Sequence, residues 1–161
     1  MRIREGDPLE IYTDREGKVI FKKYSPIGEL ASFAAQYADT LHRVCSLAFI
    51  ICDRDSVIAC AGVPKKDYTD KPLSAELERV MEGRSLYCGR ETDTPMPSLL
   101  GEEGALTVSC AMPIVSEGDV VGCVASLCDR TRDTRRDQPS VDVETKLILT
   151  AAGFLGRQLE P

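Results

Sequence analysis

The sequence contains a single histidine, His42, in 161 residues. One imidazole excludes a His-rich metal site, and any Cys–His catalytic pair would rest on this ring alone. Its place near the end of a helical stretch, where a cation suits the helix dipole, marks it as a surface or capping residue. No C-x-x-C motif occurs among the seven cysteines, at positions 45, 52, 60, 88, 110, 123 and 128. No apolar run approaches the roughly 18 residues that cross a bilayer, so no transmembrane helix and no membrane partner are expected. No charged-then-apolar opening reads as a signal peptide. An odd number of cysteines without a secretion signal points to reduced thiols and to the cytoplasm. Internal repeats and low-complexity tracts are also missing.

What is present suffices for one domain with a small appendage. Hydrophobic residues make up 43% of the chain, enough for a sizeable core. The net charge of −6 is unevenly spread: residues 1–25 carry +1 and the remainder −7. The acidic part is an unlikely surface for nucleic acid, and the first part is too weakly basic to argue for one.

Two β-rich runs, "LEIYT" at 9–13 and "KVIFKKY" at 18–24, flank the polar "DREG". A type I turn closed by a left-handed Gly17 makes these a hairpin, with Leu9, Ile11, Val19 and Phe21 on one face. An isolated two-stranded hairpin is marginal in water, so this one must pair with something else. Ser25 and Pro26 then signal a helix start, and apolar residues at 27, 30, 34, 37, 38, 41 and 44 keep a 3.6-residue period. The domain boundary falls at about residue 26, giving units 1–25 and 26–161.

From Leu47 the period changes. "LAFIICD" and "SVIACAG" are buried strands joined by "DRDS", whose Asp53 and Asp55 suit turn formation better than acid–base chemistry. "DKPLSAELERVMEG" is a short helix with Leu73, Leu77 and Val80 or Met81 inward and Gly83 as its stop. "SLYCG" reads as a further strand, 91–104 as a mobile loop, and "LTVSCAMPIV"–"SEGD"–"VVGCVASLCD" as the clearest hairpin. A polar loop of self-neutralising Arg and Asp, 129–137, leads to a long final helix capped by Ser140. Its expected apolar face is Val143, Leu147, Ala151, Phe154, Leu155 and Leu159, and Gly153 and Gly156 suggest close approach of another backbone. The first and last helices should pack together on one face of the sheet. Strand pairs joined by tight turns and flanked by helices predict an α+β domain with an antiparallel sheet.

The block "REGDPLEI…KKYSPI" and the ending "AAGFL-RQ" resemble the AbrB-type regulators of sporulation that carry a C-terminal GAF domain, and the resemblance spans nearly the whole chain. The hairpin pattern P-I-x-x-x-G-x-x-x-G (Pro113, Ile114, Gly118, Gly122) is similar to GAF domains in general. The resemblance implies that residues 1–25 are the C-terminal half of an AbrB swapped-hairpin DNA-binding module, whose strands interlock between two chains. None of that module's DNA-contacting arginines maps onto a residue here, and the role does not transfer to Arg2 or Arg4. The chain by itself is therefore expected to bind DNA poorly, while the complete protein regulates transcription of sporulation genes. The implied partners are DNA, a second copy in a homodimer or tetramer, and an unidentified small molecule in the GAF-like domain. No cofactor is implied. The Asn-Lys-Phe-Asp-Glu pattern of cyclic-nucleotide GAF domains is absent. Segments 62–72 and 89–105 are the irregular stretches that would lid a pocket, and Glu91, Asp93, Glu102 and Glu103 make the second of them acidic.

The ligand-pocket candidates are Cys52, Cys110 and Cys123. If "SEGD" is a four-residue loop with Val115 facing Val120, then Cys110 lies opposite Ala125 and Met112 opposite Cys123. Cys110 and Cys123 would share one sheet face as diagonal neighbours, with Cys52 beside them. Such a set suits packing first, since spaced strand cysteines behave as small hydrophobes. It also admits redox sensing or a thiol enzyme, because some GAF-like proteins reduce free methionine sulfoxide.

Overall fold

The hairpin at the start of the chain forms as its turn chemistry dictates. A computed structural model describes residues 3, 5–6, 9–92, 94–101, 106–129 and 139–161. Strands β1 (Leu9–Thr13) and β2 (Val19–Lys23) pair antiparallel with Ile11 opposite Phe21 and Thr13 opposite Val19. Gly17 at φ +83° closes the turn, and Asp14 Oδ1 accepts the amides of Glu16 and Lys18. The two strands form a sheet of their own, separate from the main one.

A 3-10 turn, Ile27–Leu30, leads into α1 (Ala31–Cys45). Ser25 Oγ accepts the Gly28 amide at 3.2 Å, so Ser25 caps this turn rather than an α-helix proper. Ile27, Ala34, Ala38 and Leu41 are buried; Val44, expected on the same face, is exposed, and Cys45 packs against the core in its place. Ser46, left-handed at φ 59°, ends the helix, and the His42 ring Nδ1 lies 2.7 Å from the Leu47 carbonyl. His42 thus fastens the helix end to the first sheet strand.

The main sheet has five strands in the order β4-β3-β7-β6-β5. These are β3 (Ala48–Cys52), β4 (Val57–Ala61), β5 (Tyr87–Cys88), β6 (Leu106–Ser116) and β7 (Asp119–Asp129), every pairing antiparallel. One short helix, α2 (Lys65–Tyr68), and the longer α3 (Ala75–Glu82) follow β4. Ser74 Oγ caps α3 by accepting the Leu77 amide, and Leu73, Leu77 and Met81 pack on the sheet with Leu99. Gly83 stops the helix in a right-handed conformation, and Arg84 takes the positive φ instead. The stretch expected to be a mobile loop is partly core: Leu99 is buried, and bridges join Leu73 to Leu100 and Ser98 to Thr107. Asp93, Glu102, Glu103 and residues 130–137 of the Arg/Asp loop lie outside the described residues, as do Arg2 and Arg4.

On the opposite face α1 lies beside α4 (Val141–Leu159). Phe33 and Tyr37 of α1 stack near Phe154 of α4, with ring centroids 5.9 and 5.7 Å away. The buried face of α4 is Glu144, Ile148, Ala151, Ala152, Leu155 and Gly156. It is rotated from the expected stripe, leaving Val143 and Phe154 exposed. Two contacts set the rotation. Glu144 is drawn into the core by polar partners, and Gly156 lies against β6, where a Cβ would stand 2.5 Å from the Val115 carbonyl oxygen. Gly153 faces open space and meets no backbone.

Candidate functional site

The three candidate cysteines do not share a face. Val115 does face Val120, but the register shifts immediately afterwards, so that Ile114 pairs with Gly122 and Pro113 with Cys123. The extra residue is Val121, a β-bulge in β7. Gly122 follows it because β7 passes too close to the Cys52 carbonyl for any side chain. A second shift between Val108 and Cys110 leaves Ser109 as the extra residue in β6. One slip reverses every side chain, because a strand alternates faces with period two. Cys110 therefore faces α1 and α4, opposite Ser126 rather than Ala125. Cys52 and Cys123, paired directly across β3 and β7, face α3.

Each face holds a thiol pair. Cys110 lies opposite Cys88 of β5, with the two sulfurs 3.4 Å apart. Cys52 Sγ donates to the Cys123 carbonyl at 3.6 Å. Burial, and next the charge of Glu144, push the Cys110 thiol far up. The hydrogen bond to the Cys123 thiol, reinforced by burial, pushes Cys52 well up. Both are held as thiols at neutral pH, the form in which sulfur is a poor nucleophile and a poor metal ligand.

Beside Cys110 stands a polar cluster that the periodicity did not announce. Glu144 is fully buried; its Oε1 accepts from Ser126 Oγ at 2.5 Å and its Oε2 from Arg90 Nη1 at 2.8 Å. Arg90 also donates to the Pro139 carbonyl at 2.9 Å. The available signal was the spacing 144–148–151–155, which places the glutamate in the row of buried apolar residues. An acid in the first helical turn is ordinarily exposed and favoured by the helix dipole, so the pattern alone does not single this one out.

A separate cavity of about 510 Å³ opens between the end of the hairpin and the main sheet. Tyr24 and Ser25 line it from the linker, Asp53 and Arg54 from the β3–β4 turn, Met81 and Arg84 from the end of α3, and Val120 from β7. Cys52, Cys110 and Cys123 are not among its lining residues. Asp53 organises one wall: its Oδ1 accepts the amides of Asp55 and Ser56 at 2.8 Å, and its Oδ2 accepts Ser25 Oγ at 3.2 Å. No group of three or more metal-ligating side chains occurs among the described residues. No helix there is long and apolar enough to cross a membrane.

A five-stranded antiparallel sheet with two long helices on one face and short elements on the other is the architecture of GAF-like domains. Solved structures share it. A type II free methionine-R-sulfoxide reductase from Thermoplasma acidophilum matches at TM-score 0.57 and 10% identity, covering 83% of this chain and 94% of that one. A GAF domain/HD domain protein from Geobacter sulfurreducens matches at TM-score 0.53 and 16% identity, covering 83% and 95%. Identities this low establish the fold alone. The sequence itself goes further: residues 29–160 match the family described as Stage V sporulation protein T C-terminal, transcription factor. The Stage V sporulation protein T of Bacillus subtilis (strain 168) is 46% identical over 161 residues, which is 99% of this chain and 85% of that protein. The chain belongs to this family of sporulation transcription factors.

Proposed function

We propose that the chain is a cytoplasmic, homo-oligomeric regulator of sporulation genes: a GAF-like domain that binds a small molecule and mediates assembly, joined to one half of an AbrB-type DNA-binding module. The observation that carries this reading is the β1–β2 ribbon. Its strands pair only with each other in the described structure, yet Ile11, Val19 and Phe21 on one face and Tyr12 and Ile20 on the other are all about half exposed. A two-stranded ribbon with apolar residues on both faces needs further strands to be stable. A second polypeptide supplies them in the interlocked module, and that pairing creates the DNA-binding unit. The isolated +1 ribbon neutralises few phosphates, so the chain by itself binds DNA weakly.

Phe33 and Phe154, exposed and packed against the half-buried Tyr37, support a helical contact between copies. The cavity beside Ser25 and Asp53 supports ligand binding, since its volume suits a small molecule and its wall joins sensor to ribbon. The competing reading, a thiol enzyme, requires a reactive thiolate, and the buried Cys52 and Cys110 are held protonated.

The test is light scattering on the chain as it stands, beside the variant Ile11→Asp/Phe21→Asp. Assembly above the monomer that the double substitution reduces, with circular dichroism unchanged, is the expected result. A monomer at tens of micromolar for both proteins would overturn the reading. A mobility shift showing tight, sequence-specific DNA binding by the 161-residue chain would overturn the claim that this half is insufficient.

A further inference from the structure

Cys88 sits at the rim of the core, 9% exposed, on the two-residue edge strand β5; Cys110 is wholly buried on the neighbouring β6. The two are register partners, and their sulfurs are 3.4 Å apart. Directly opposed residues of an antiparallel pair have Cα atoms about 4.5–5.5 Å apart, within the span a disulfide tolerates. Side-chain rotation alone has to bring the sulfurs to the bonded distance of about 2.05 Å. We infer that Cys88 and Cys110 form an oxidant-sensitive dithiol, a modification site at which a hydroperoxide converts the reduced pair into a cross-strand disulfide.

The chemistry divides between the two residues by exposure. The Cys88 sulfur attacks the peroxide O–O bond and gives up its proton; the bond breaks, that proton leaves with the departing oxygen as water, and Cys88 becomes a sulfenic acid. The Cys110 thiol then attacks that sulfur and gives up its proton as the S–O bond breaks and water departs. In sum, two thiols lose two electrons and two protons, and one hydrogen peroxide is reduced to two waters. Cys110 takes the second role by position: it is wholly buried, so an oxidant does not meet it first, and its sulfur already lies 3.4 Å from that of Cys88. Cys52 and Cys123 are also register partners, but both are fully buried, so an oxidant meets neither first. They form a control of the same geometry inside the same sheet.

The bond has a structural reach. Cys88 leads directly into the 3-10 turn Gly89–Glu91, whose Arg90 holds Glu144 of α4. Oxidation would therefore fasten the base of the segment that anchors the start of the last helix.

The experiment uses the full chain carrying Cys45→Ser and Cys128→Ser, which removes the two partly exposed thiols. The folded protein is treated with hydrogen peroxide, alkylated, digested without reductant and examined by mass spectrometry. The expected product is a linked peptide pair containing Cys88 and Cys110, two hydrogens lighter than the reduced pair, with Cys52 and Cys123 still free. Dithiothreitol should reverse it, and the oxidised form should melt several degrees higher. The same treatment of the chain with all seven cysteines must give the same link, which keeps the test valid if the double variant folds poorly. Over-oxidation of Cys88 to sulfinic acid without linkage would overturn the inference. So would alkylation of Cys88 and Cys110 as free thiols after peroxide treatment, or equal formation of the Cys52–Cys123 bond.

Discussion

Glu144 Oε2 lies 2.8 Å from Arg90 Nη1 beneath the last helix, with the glutamate 1% exposed and the arginine side chain 25% exposed. This ion pair joins the 3-10 turn after β5 to the first turn of α4. The remaining carboxylate oxygen is used by Ser126, so the buried charge has partners on both sides.

Removing one partner leaves a charge in the core. Arg90→Ala should destabilise the chain by about 3 kcal/mol in urea unfolding, because breaking a buried pair strands the other ion. Arg90→Met combined with Glu144→Leu should recover most of that loss, since apolar replacement of both members is often near neutral. Equal destabilisation by the single and double changes would show that the pair is not where the energy resides.

The two glycines of α4 should respond in opposite directions. Gly153→Ala meets nothing within 4 Å and should stabilise the helix by about 1 kcal/mol in denaturant unfolding. Gly156→Ala forces a methyl group against the Val115 carbonyl and should cost more than the helix gains, about 2 kcal/mol net. Stabilisation by both changes would mean that α4 sits farther from β6 than described.

Stability should fall in alkali through the buried thiols. In the unfolded chain Cys110 ionises near its ordinary value of 9, whereas the folded chain holds it protonated. A raised folded value gives stability that is complete below pH 9 and lost as pH rises above it. The slope is about 1.4 kcal/mol per pH unit for each thiol so held. Urea midpoints under reductant between pH 8 and 10.5 should show this decline, and Cys110→Ala should flatten it. An unchanged slope in the variant would remove Cys110 as its source.

Asp53 should couple the linker to the sheet. Asp53→Ala removes acceptors for Asp55, Ser56 and Ser25 and should cost about 1–2 kcal/mol. Ser25→Ala should cost less, and a double-mutant cycle should return a coupling of at least about 0.5 kcal/mol. Strict additivity would show that the Ser25–Asp53 contact transmits nothing between linker and domain.

Local chemistry made much of the architecture legible. The Asp14–Gly17 turn, the Ser25 and Ser140 caps, the Asp53 turn and the change of period after Leu47 are short-range effects. Each was readable because a few neighbouring residues decide it. The register of the central hairpin was not. Val121 reads like any other strand residue, and its bulge arises because β7 must pass the Cys52 carbonyl at Gly122, a contact between residues 70 apart in the chain. That one slip separated Cys110 from Cys123, while the register of β5 on β6 set it opposite Cys88.

The sequence by itself determined the order of the strands and of the longer helices, the apolar two-strand ribbon at the start and membership of the sporulation-regulator family, because these rest on local pattern and motif; the four-residue helix Lys65–Tyr68 left no such pattern. Tertiary structure decided which thiols meet, which face of α4 is buried and where the cavity opens. Those depend on bulges, on close backbone approach and on a buried glutamate finding its arginine, and each brings together residues that no window along the chain contains.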